Sequence, residues 1–265
     1  MNIILGINNN RINLIFVILA VIFSLISLWV AVQETYRLTV KQFDQYYSQY
    51  LASTSTENIN MDDIINSTTE EDYTPPQWAT VVSVLGFIFQ IIVCYQWATC
   101  INKNIYETQE RIDSISQNAK DRDELYDFNW MVEKLNTLKI SLLPFWIYLV
   151  FSIMGLLLPG AYMLFSILSF VALAYYLNKV FFMSNQLSDI KSQFYSFYLK
   201  DDYNPRIDYT VKPRNILYFL LFTFISMGLY WYYLILKLSL EINTYLKSDD
   251  ILRKKLLQHR KEDME

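Results

Sequence analysis

Residues 140–183 have the sequence ISLLPFWIYLVFSIMGLLLPGAYMLFSILSFVALAYYLNKVFFM, a 44-residue apolar stretch in which Lys179 is the single charged residue. A helix needs roughly 20 residues to cross a hydrocarbon core about 30 Å thick, so this stretch is twice as long as one span requires. Pro159 and Gly160 stand near its middle, and this dipeptide is typical of a turn. The stretch therefore predicts two membrane helices joined as a tight hairpin.

Three further runs contain no charged residue: 12–32, 78–101 and 215–236. Lipid offers no partner for backbone N–H and C=O groups, so each run must be helical to satisfy them internally. The sequence thus predicts an all-α polytopic membrane protein with about five transmembrane segments, including the tight hairpin at Pro159-Gly160. A cytoplasmic helical hairpin is expected in addition, for the reasons given below.

The composition narrows the functional classes. Of 265 residues, 53% are hydrophobic and only 18% are charged, whereas soluble domains carry about 25% charged residues. Two Cys, one His and five Gly supply neither a disulfide framework, a multi-His metal centre nor a glycine-rich phosphate loop. A net charge of -4 leaves no basic excess for nucleic-acid phosphates. We expect no catalytic residue, no cofactor, no metal and no nucleic-acid partner.

These patterns divide the chain into eight segments. They are a transmembrane anchor (1–32), an acidic extracytoplasmic loop (33–77), a second transmembrane helix (78–101), a cytoplasmic helical hairpin (102–139), a transmembrane hairpin (140–183), a cytoplasmic connector (184–214), the last membrane segment (215–240) and a charged amphipathic tail (241–265).

The distribution of charge predicts the orientation. Arg11 and the amino terminus precede the first apolar run, which favours a cytoplasmic N-terminus in the cell membrane. The loop 33–77 then lies outside, and it holds two basic residues, Arg37 and Lys41, against eight acidic ones. Apolar residues recur at helical spacing from Tyr36 to Tyr50, so the first helix should continue above the membrane and meet a partner there. Asn66 begins an Asn-Ser-Thr sequon and is a candidate glycosylation site.

The loops 102–139 and 184–214 are rich in Lys and Arg and are expected in the cytoplasm. Within 102–139, one apolar series runs from Ile105 to Ala119 and a second from Leu125 to Leu138, each along one helical face, which predicts two packed antiparallel helices. Around Leu187 and Phe194 the sequence is rich in aromatic residues, so an interfacial helix at the lipid headgroups is expected there.

The last apolar segment admits two interpretations. The uninterrupted length of 215–236 favours a single span, which would put the tail outside together with all seven basic residues that follow Leu236. A break near Ser226-Met227-Gly228 would let the segment enter and return, which leaves almost every Lys and Arg in the cytoplasm. The single span is preferred because lipid tolerates irregular backbone only where protein or water covers it.

Four polar residues within or at the ends of the apolar runs are the candidate site residues: Gln90, Asn178, Ser169 and Ser226. Their simplest role is interhelical hydrogen bonding, worth about 1 kcal/mol or less each. The alternative role is a pathway for a neutral solute around Gln90. Carboxylate pairs such as Asp249-Asp250 are expected in solvated turns.

An internal similarity recurs at an offset of 57 residues. Phe165-Ser166-Ile167-Leu168-Ser169 matches Phe222-Thr223-Phe224-Ile225-Ser226, and Tyr175-Tyr176-Leu177 matches Tyr232-Tyr233-Leu234. A duplicated membrane helix would produce this pattern, and transporters use such repeats to build a site at the membrane midplane.

The region from Arg214 through Leu220–Tyr233 and Lys237 to Glu241-Ile242-Asn243 resembles an uncharacterised prokaryotic membrane-protein family. The repeat of that family reads Arg, an apolar run, Thr-x-Gly-Ile-Tyr-x-x-Tyr-Trp, Lys and a closing Glu-Ile/Leu-Asn. The resemblance covers about 30 of 265 residues, and it departs from the repeat at Ser226 and Leu229, where Thr and Ile are usual. It implies a membrane helix of a recognisable type and no chemistry.

Two functions from different classes follow. The first is a non-catalytic integral membrane protein that acts by association, as an accessory subunit, scaffold or homo-oligomer, with the lipid bilayer and other membrane proteins as its partners. The amphipathic tail, with Leu252 and Leu256 among basic residues, is one expected contact surface. The alternative is a small transporter or channel for a neutral or weakly polar solute.

Overall fold

Every regular element in the structure, a computed structural model that describes residues 11–53, 76–117, 122–199, 211–212 and 214–262, is helical. This confirms the predicted all-α class. The elements are α1 (Leu14–Ser53), α2 (Gln77–Ser116), α3 (Arg122–Thr137), α4 (Leu143–Leu157), a 3-10 turn (Pro159–Ala161), α5 (Tyr162–Tyr198), α6 (Ile216–Ile225) and α7 (Leu229–Glu262).

Three of the described helices are long and apolar enough to cross a membrane: α1, α2 and the Tyr162–Phe182 part of α5. The prediction of about five such segments is therefore too high. The other two apolar helices, α4 and α6, have 15 and 10 residues and are about 22 and 15 Å long. The three long helices are consistent with a multi-pass membrane protein.

Residues Leu19–Ile88 form one compact unit. Within it α1 and α2 run antiparallel, because Ser27 pairs with Ser83 through their hydroxyls and Ser24 lies against Gly86. A Cβ on Gly86 would stand 3.0 Å from the Ser24 hydroxyl oxygen, so the missing side chain allows the two helices to approach closely. The helix α1 continues to Ser53, well past the apolar run, as the spacing of its apolar residues predicts.

The second compact unit contains the rest of the described chain. In the part of α2 just beyond its apolar run, the Asn102 side chain exchanges two hydrogen bonds of 2.8 Å with the backbone of Ile140. Gln109 donates to the Val132 carbonyl at 3.1 Å, so α2 and α3 pack side by side. The helices α4 and α5 form the hairpin predicted at Pro159-Gly160, and hydroxyls of Ser152 and Ser169 join them at 2.6 Å.

The last apolar segment is not one helix, so the preferred prediction of a single continuous span is wrong. The helix α6 ends at Ile225, and α7 begins at Leu229 after a turn in which Met227 and Gly228 have φ of 50° and 90°. The rings of Phe219 and Trp231 lie 5.9 Å apart, whereas twelve residues of unbroken helix would separate them by about 18 Å. The chain folds back on itself here.

The turn also explains why the internal similarity does not produce a duplicated helix. One copy lies inside the continuous helix α5, and the other contains the break between α6 and α7. At the offset of 57 residues, Val171 of α5 corresponds to Gly228. A β-branched residue is costly at positive φ, whereas glycine adopts it freely, so only the second copy can turn.

Replacing Gly228 with alanine should destabilise the α6–α7 hairpin by about 1–2 kcal/mol, because an L side chain at φ 90° is strained. Gly160 is the matched control: it lies in the other hairpin turn, its φ is outside the left-handed range, and a Cβ there meets nothing within 4 Å. Thermal unfolding in detergent should show a lower Tm for G228A and little change for G160A. Equal effects would contradict the role of positive φ.

Candidate functional site: a buried charge cluster shared by three helices

The parts of α2, α5 and α7 that extend beyond the apolar runs pack against one another and enclose charged side chains. Each extension has an apolar face, and polar residues lie on that same face. On α5, Lys191 follows Leu187 by one helical turn and precedes Tyr195 by another, and all three are buried. Lys191 is fully buried and Asp249 of α7 is 3% exposed. We call this group, with Asn104, Glu107, Tyr195, Tyr245 and Arg253, the buried charge cluster.

The Asp249 carboxylate is its centre. One oxygen, Oδ1, accepts from Lys191 Nζ at 2.7 Å and from the Tyr195 hydroxyl at 3.0 Å. The other, Oδ2, accepts from Asn104 Nδ2 at 2.7 Å and from Arg253 Nη2 at 2.6 Å. A single carboxylate thus joins donors from all three helices.

The remaining members complete the hydrogen bonding around it. The Asn104 carbonyl oxygen accepts from Lys191 Nζ at 2.5 Å and from the Tyr245 hydroxyl at 3.1 Å. Arg253 also pairs through Nη1 with Glu107 of α2. Two cations face two carboxylates, so the cluster is neutral as a whole. Buried charges are tolerated only under this condition of pairing and hydrogen bonding.

The pKa values follow from this geometry. Burial lowers the pKa of Lys191 to about 8, although the charge of Asp249 opposes that shift. Burial alone would raise the pKa of Asp249, but the charges of Lys191 and Arg253 and the hydrogen bonds from Lys191 and Asn104 outweigh it and lower the pKa to about 2. Both groups are therefore ionised at neutral pH.

A second polar contact lies at the base of the α6–α7 hairpin. Arg214, just before α6, pairs with Glu241 of α7 at 2.8 Å, and the guanidinium lies over the Phe181 ring of α5. Two residues further along, Asn243 exchanges hydrogen bonds of 2.7 and 2.9 Å with the backbone of Ile12, which precedes α1. These contacts tie both ends of the hairpin and the start of α1 together.

The four candidate polar residues are not brought together. Gln90 accepts from Trp231 Nε1 at 2.9 Å and links α2 to α7. Ser169 links α5 to α4, and Ser226 accepts from the Tyr230 backbone N–H at 2.9 Å in the turn before α7. Asn178 is exposed on α5. The candidate glycosylation site Asn66 lies outside the described residues.

Sequence reasoning missed the buried charge cluster. Asp249, expected in a solvated turn, is buried in α7, whereas its neighbour Asp250 is half-exposed. The expected interfacial helix near Leu187 packs against protein instead, and Leu252 and Leu256 of the tail are buried, so the tail is not a free contact surface. The available signal was positional: Lys191 falls on the apolar face of its own helix.

Other features of this unit offer little chemistry. Among the described residues, no group of three or more His, Cys, Asp or Glu is arranged to hold a metal ion. A cleft of about 490 Å³ lies along α2 and α3 and is lined by residues of mixed charge, including Tyr106, Glu110, Asp113 and Lys139. Cys94 and Cys100 are both buried and free.

Comparison with known proteins supplies no relative. No family model matches the chain, and neither a curated protein nor a solved structure is similar to it at a significant level. The function therefore has to be argued from the contacts described above.

Substituting Asp249 by alanine should lower the free energy of unfolding by about 3–5 kcal/mol, because Lys191 and Arg253 would remain buried without their shared carboxylate. D250A is the matched control: Asp250 pairs with Lys254 at 3.1 Å, but both side chains are largely in solvent, and such pairs contribute about 0–1 kcal/mol. Thermal unfolding in detergent measures both. A D249A protein as stable as D250A would contradict the central role of Asp249.

Acid should weaken the cluster within a defined range of pH. The pKa of Asp249 is about 2 in the folded state and 3.8 ordinarily, so the stabilisation is complete above about pH 4 and is lost as the pH falls to 2. The shift corresponds to roughly 2 kcal/mol. Tm values measured between pH 5 and 2 should fall more steeply for the native chain than for D249N. Parallel curves would contradict the assignment.

Proposed function

We propose that the chain is a non-catalytic multi-pass protein of the cell membrane that acts by association, as an accessory subunit, a scaffold or a homo-oligomer. Its amino terminus and its tail both lie in the cytoplasm in this proposal. Lipid and other membrane proteins, among them copies of itself, are the proposed partners.

The orientation is supported by contacts within the larger unit. The ends of α2, α5 and α7 share the buried charge cluster, and Ile12 is hydrogen-bonded to Asn243, so these segments belong on one side of the bilayer. If that side is the cytoplasm, all Lys and Arg of the described segments except Arg37 and Lys41 lie there or at its interface. This agrees with the positive-inside rule.

The observation that carries the association proposal is the exposure of the outer part of α1. Past the apolar run the helix continues to Ser53, and Tyr36, Phe43 and Tyr47 are each more than half exposed. In contrast, the charges of the buried cluster pair with one another inside the fold. The buried charges are neutralised inside the fold, whereas an aromatic face of α1 is exposed. This combination fits recognition of another protein better than catalysis.

A small transporter or channel is the second candidate because of the α6–α7 hairpin. A short helix that ends inside an apolar segment is a feature that transporters use at their solute sites. The Thr223 hydroxyl near this turn is buried without a hydrogen-bond partner among the described residues. Gln90, however, accepts a hydrogen bond from Trp231 between two helices, which favours a packing role.

The association proposal can be tested in native membranes. A lysine-reactive crosslinker followed by mass analysis in mild detergent should yield a species heavier than one chain. A lone monomer under both conditions would overturn the proposal. Uptake of glycerol or urea into liposomes, if it occurred and were abolished by Gln90→Ala, would favour the transporter instead.

The orientation has its own experiment. Protease added to sealed inside-out vesicles should cleave within the charged tail (241–265), whereas the same protease added to right-side-out vesicles should cleave only within the loop 33–77. Loss of the tail from the outer side would contradict the proposed orientation and leave the association proposal unaffected.

A further inference from the structure

The outer part of α1 carries its apolar residues at the spacing of a coiled coil. Tyr36, Val40, Phe43, Tyr47 and Tyr50 follow one another at intervals of four, three, four and three residues. This alternation is the a and d pattern of a heptad repeat, whose mean period of 3.5 residues keeps one seam toward a partner helix. We call these five residues the outer seam.

The outer seam is open in the structure. Its four aromatic residues are between 55% and 72% exposed, and Val40 is 40% exposed. Every residue from Thr39 to Ser48 is exposed. Lower on the same helix, within its compact unit, Ser24 and Ser27 face α2.

Water surrounds this segment if the orientation proposed above holds. Charged residues flank the seam without entering it: Arg37, Lys41 and Asp44 lie between its members, and Glu34 pairs with Arg37 at 3.8 Å. A helix with an aromatic stripe and charged flanks is stable in water chiefly when the stripe is packed. The mixed signs of the flanking charges favour neither an acidic nor a basic partner.

A second copy of the chain matches these features. A heptad seam is complementary to itself, and two copies inserted in the same bilayer present α1 in the same direction, which is the parallel arrangement of a two-stranded coiled coil. Aromatic side chains offer about 150–250 Å² each, and these four are 55–72% exposed, so eight of them in two copies would bury about 1,000 Å² in total. That area meets the roughly 1,000 Å² that a specific interface requires.

The seam also continues in the direction of the membrane. Ile18, Ile22, Leu25, Trp29 and Val32 follow at the same alternation of three and four residues, and all are exposed on α1. A dimer joined above the membrane could therefore extend its contact along the apolar run without changing the face of α1 that it uses.

We infer that the outer seam of α1 forms a parallel coiled coil with α1 of a second copy of this chain. The inference rests on the proposed function and names its partner. In this dimer the rings of Phe43 and Tyr47 face their counterparts across the two-fold axis, whereas Gln42 and Gln45 point away from it.

Disulfide crosslinking of the full chain in membranes tests the inference. In a background with Cys94→Ala and Cys100→Ala, single cysteines replace Phe43 and Tyr47 in the seam and Gln42 and Gln45 outside it. All four native residues are exposed, so access to the oxidant is matched. After mild oxidation, disulfide dimer should be at least about fivefold more abundant at positions 43 and 47, because only a and d side chains come within disulfide range.

A second variant protects the test against loss of packing by the cysteine substitutions. Phe43→Glu with Tyr47→Glu places like charges across the seam and should convert the dimer to monomer in mild detergent. Gln42→Glu with Gln45→Glu is the matched control and should leave the dimer intact. Both pairs are exposed, so neither should change the helical content measured by circular dichroism.

The outcomes distinguish failure of the coiled-coil inference from failure of the proposed association function. Equal crosslinking at all four positions, or none, overturns the inference. The inference also fails if the chain is monomeric and its own loop protects a seam cysteine from a thiol reagent. If the chain is still heavier than a monomer by size, association survives through another surface. If it is a lone monomer by size and by lysine crosslinking, the proposed function fails as well.

Discussion

The buried carboxylate of Asp249 is the interaction on which the larger unit depends. It accepts hydrogen bonds from Lys191 of α5, Asn104 of α2 and Arg253 of its own helix, each within 2.9 Å. A charge removed from water costs several kcal/mol unless its partners are well placed, so none of these residues can be buried alone. The three helices therefore have to approach together, and their mutual registers are determined by this requirement.

The α6–α7 hairpin brings α7 to the buried charge cluster. Gly228 supplies the positive φ at which the chain reverses, and the pair of Arg214 and Glu241 joins the two arms at the other end. With an unbroken helix these two residues would be about 40 Å apart rather than 2.8 Å. The turn brings α7 back beside Ile12 and beyond it to Asp249. The positive φ of Met227 and Gly228 thus controls where the 34 residues of α7 lie.

The polar groups of the larger unit and the aromatic residues of outer α1 differ in how far the fold satisfies or covers them. In the larger unit, Gln90, Ser169 and the charges around Asp249 are satisfied by neighbouring helices. Their hydrogen bonds hold elements together. The outer part of α1 is the opposite case, since Tyr36, Phe43 and Tyr47 are each more than half exposed. Polar groups that pair inside the fold, together with exposed aromatic residues on α1, are the features expected of a protein that works by contact.

Much of the architecture could be predicted from the sequence, because an apolar run long enough to cross the bilayer must form a helix there. The hairpin at Pro159-Gly160 and the all-α class follow from that constraint and from local turn chemistry, and the extension of α1 to Ser53 follows from the helical spacing of its apolar residues. The break at Met227-Gly228 could be seen only as an alternative, since run length alone favours an unbroken span.

Tertiary structure alone decided the pairing of Lys191 with Asp249. Their spacing in the chain, 58 residues from Lys191 to Asp249, carries no information on proximity, and a charged residue in an extramembrane helix is usually solvated. Whether such a residue is buried depends on a counter-charge delivered by another helix. Local sequence therefore determines which segments become helices and which faces are apolar, whereas the pairing of buried charges is determined only when several helices pack together.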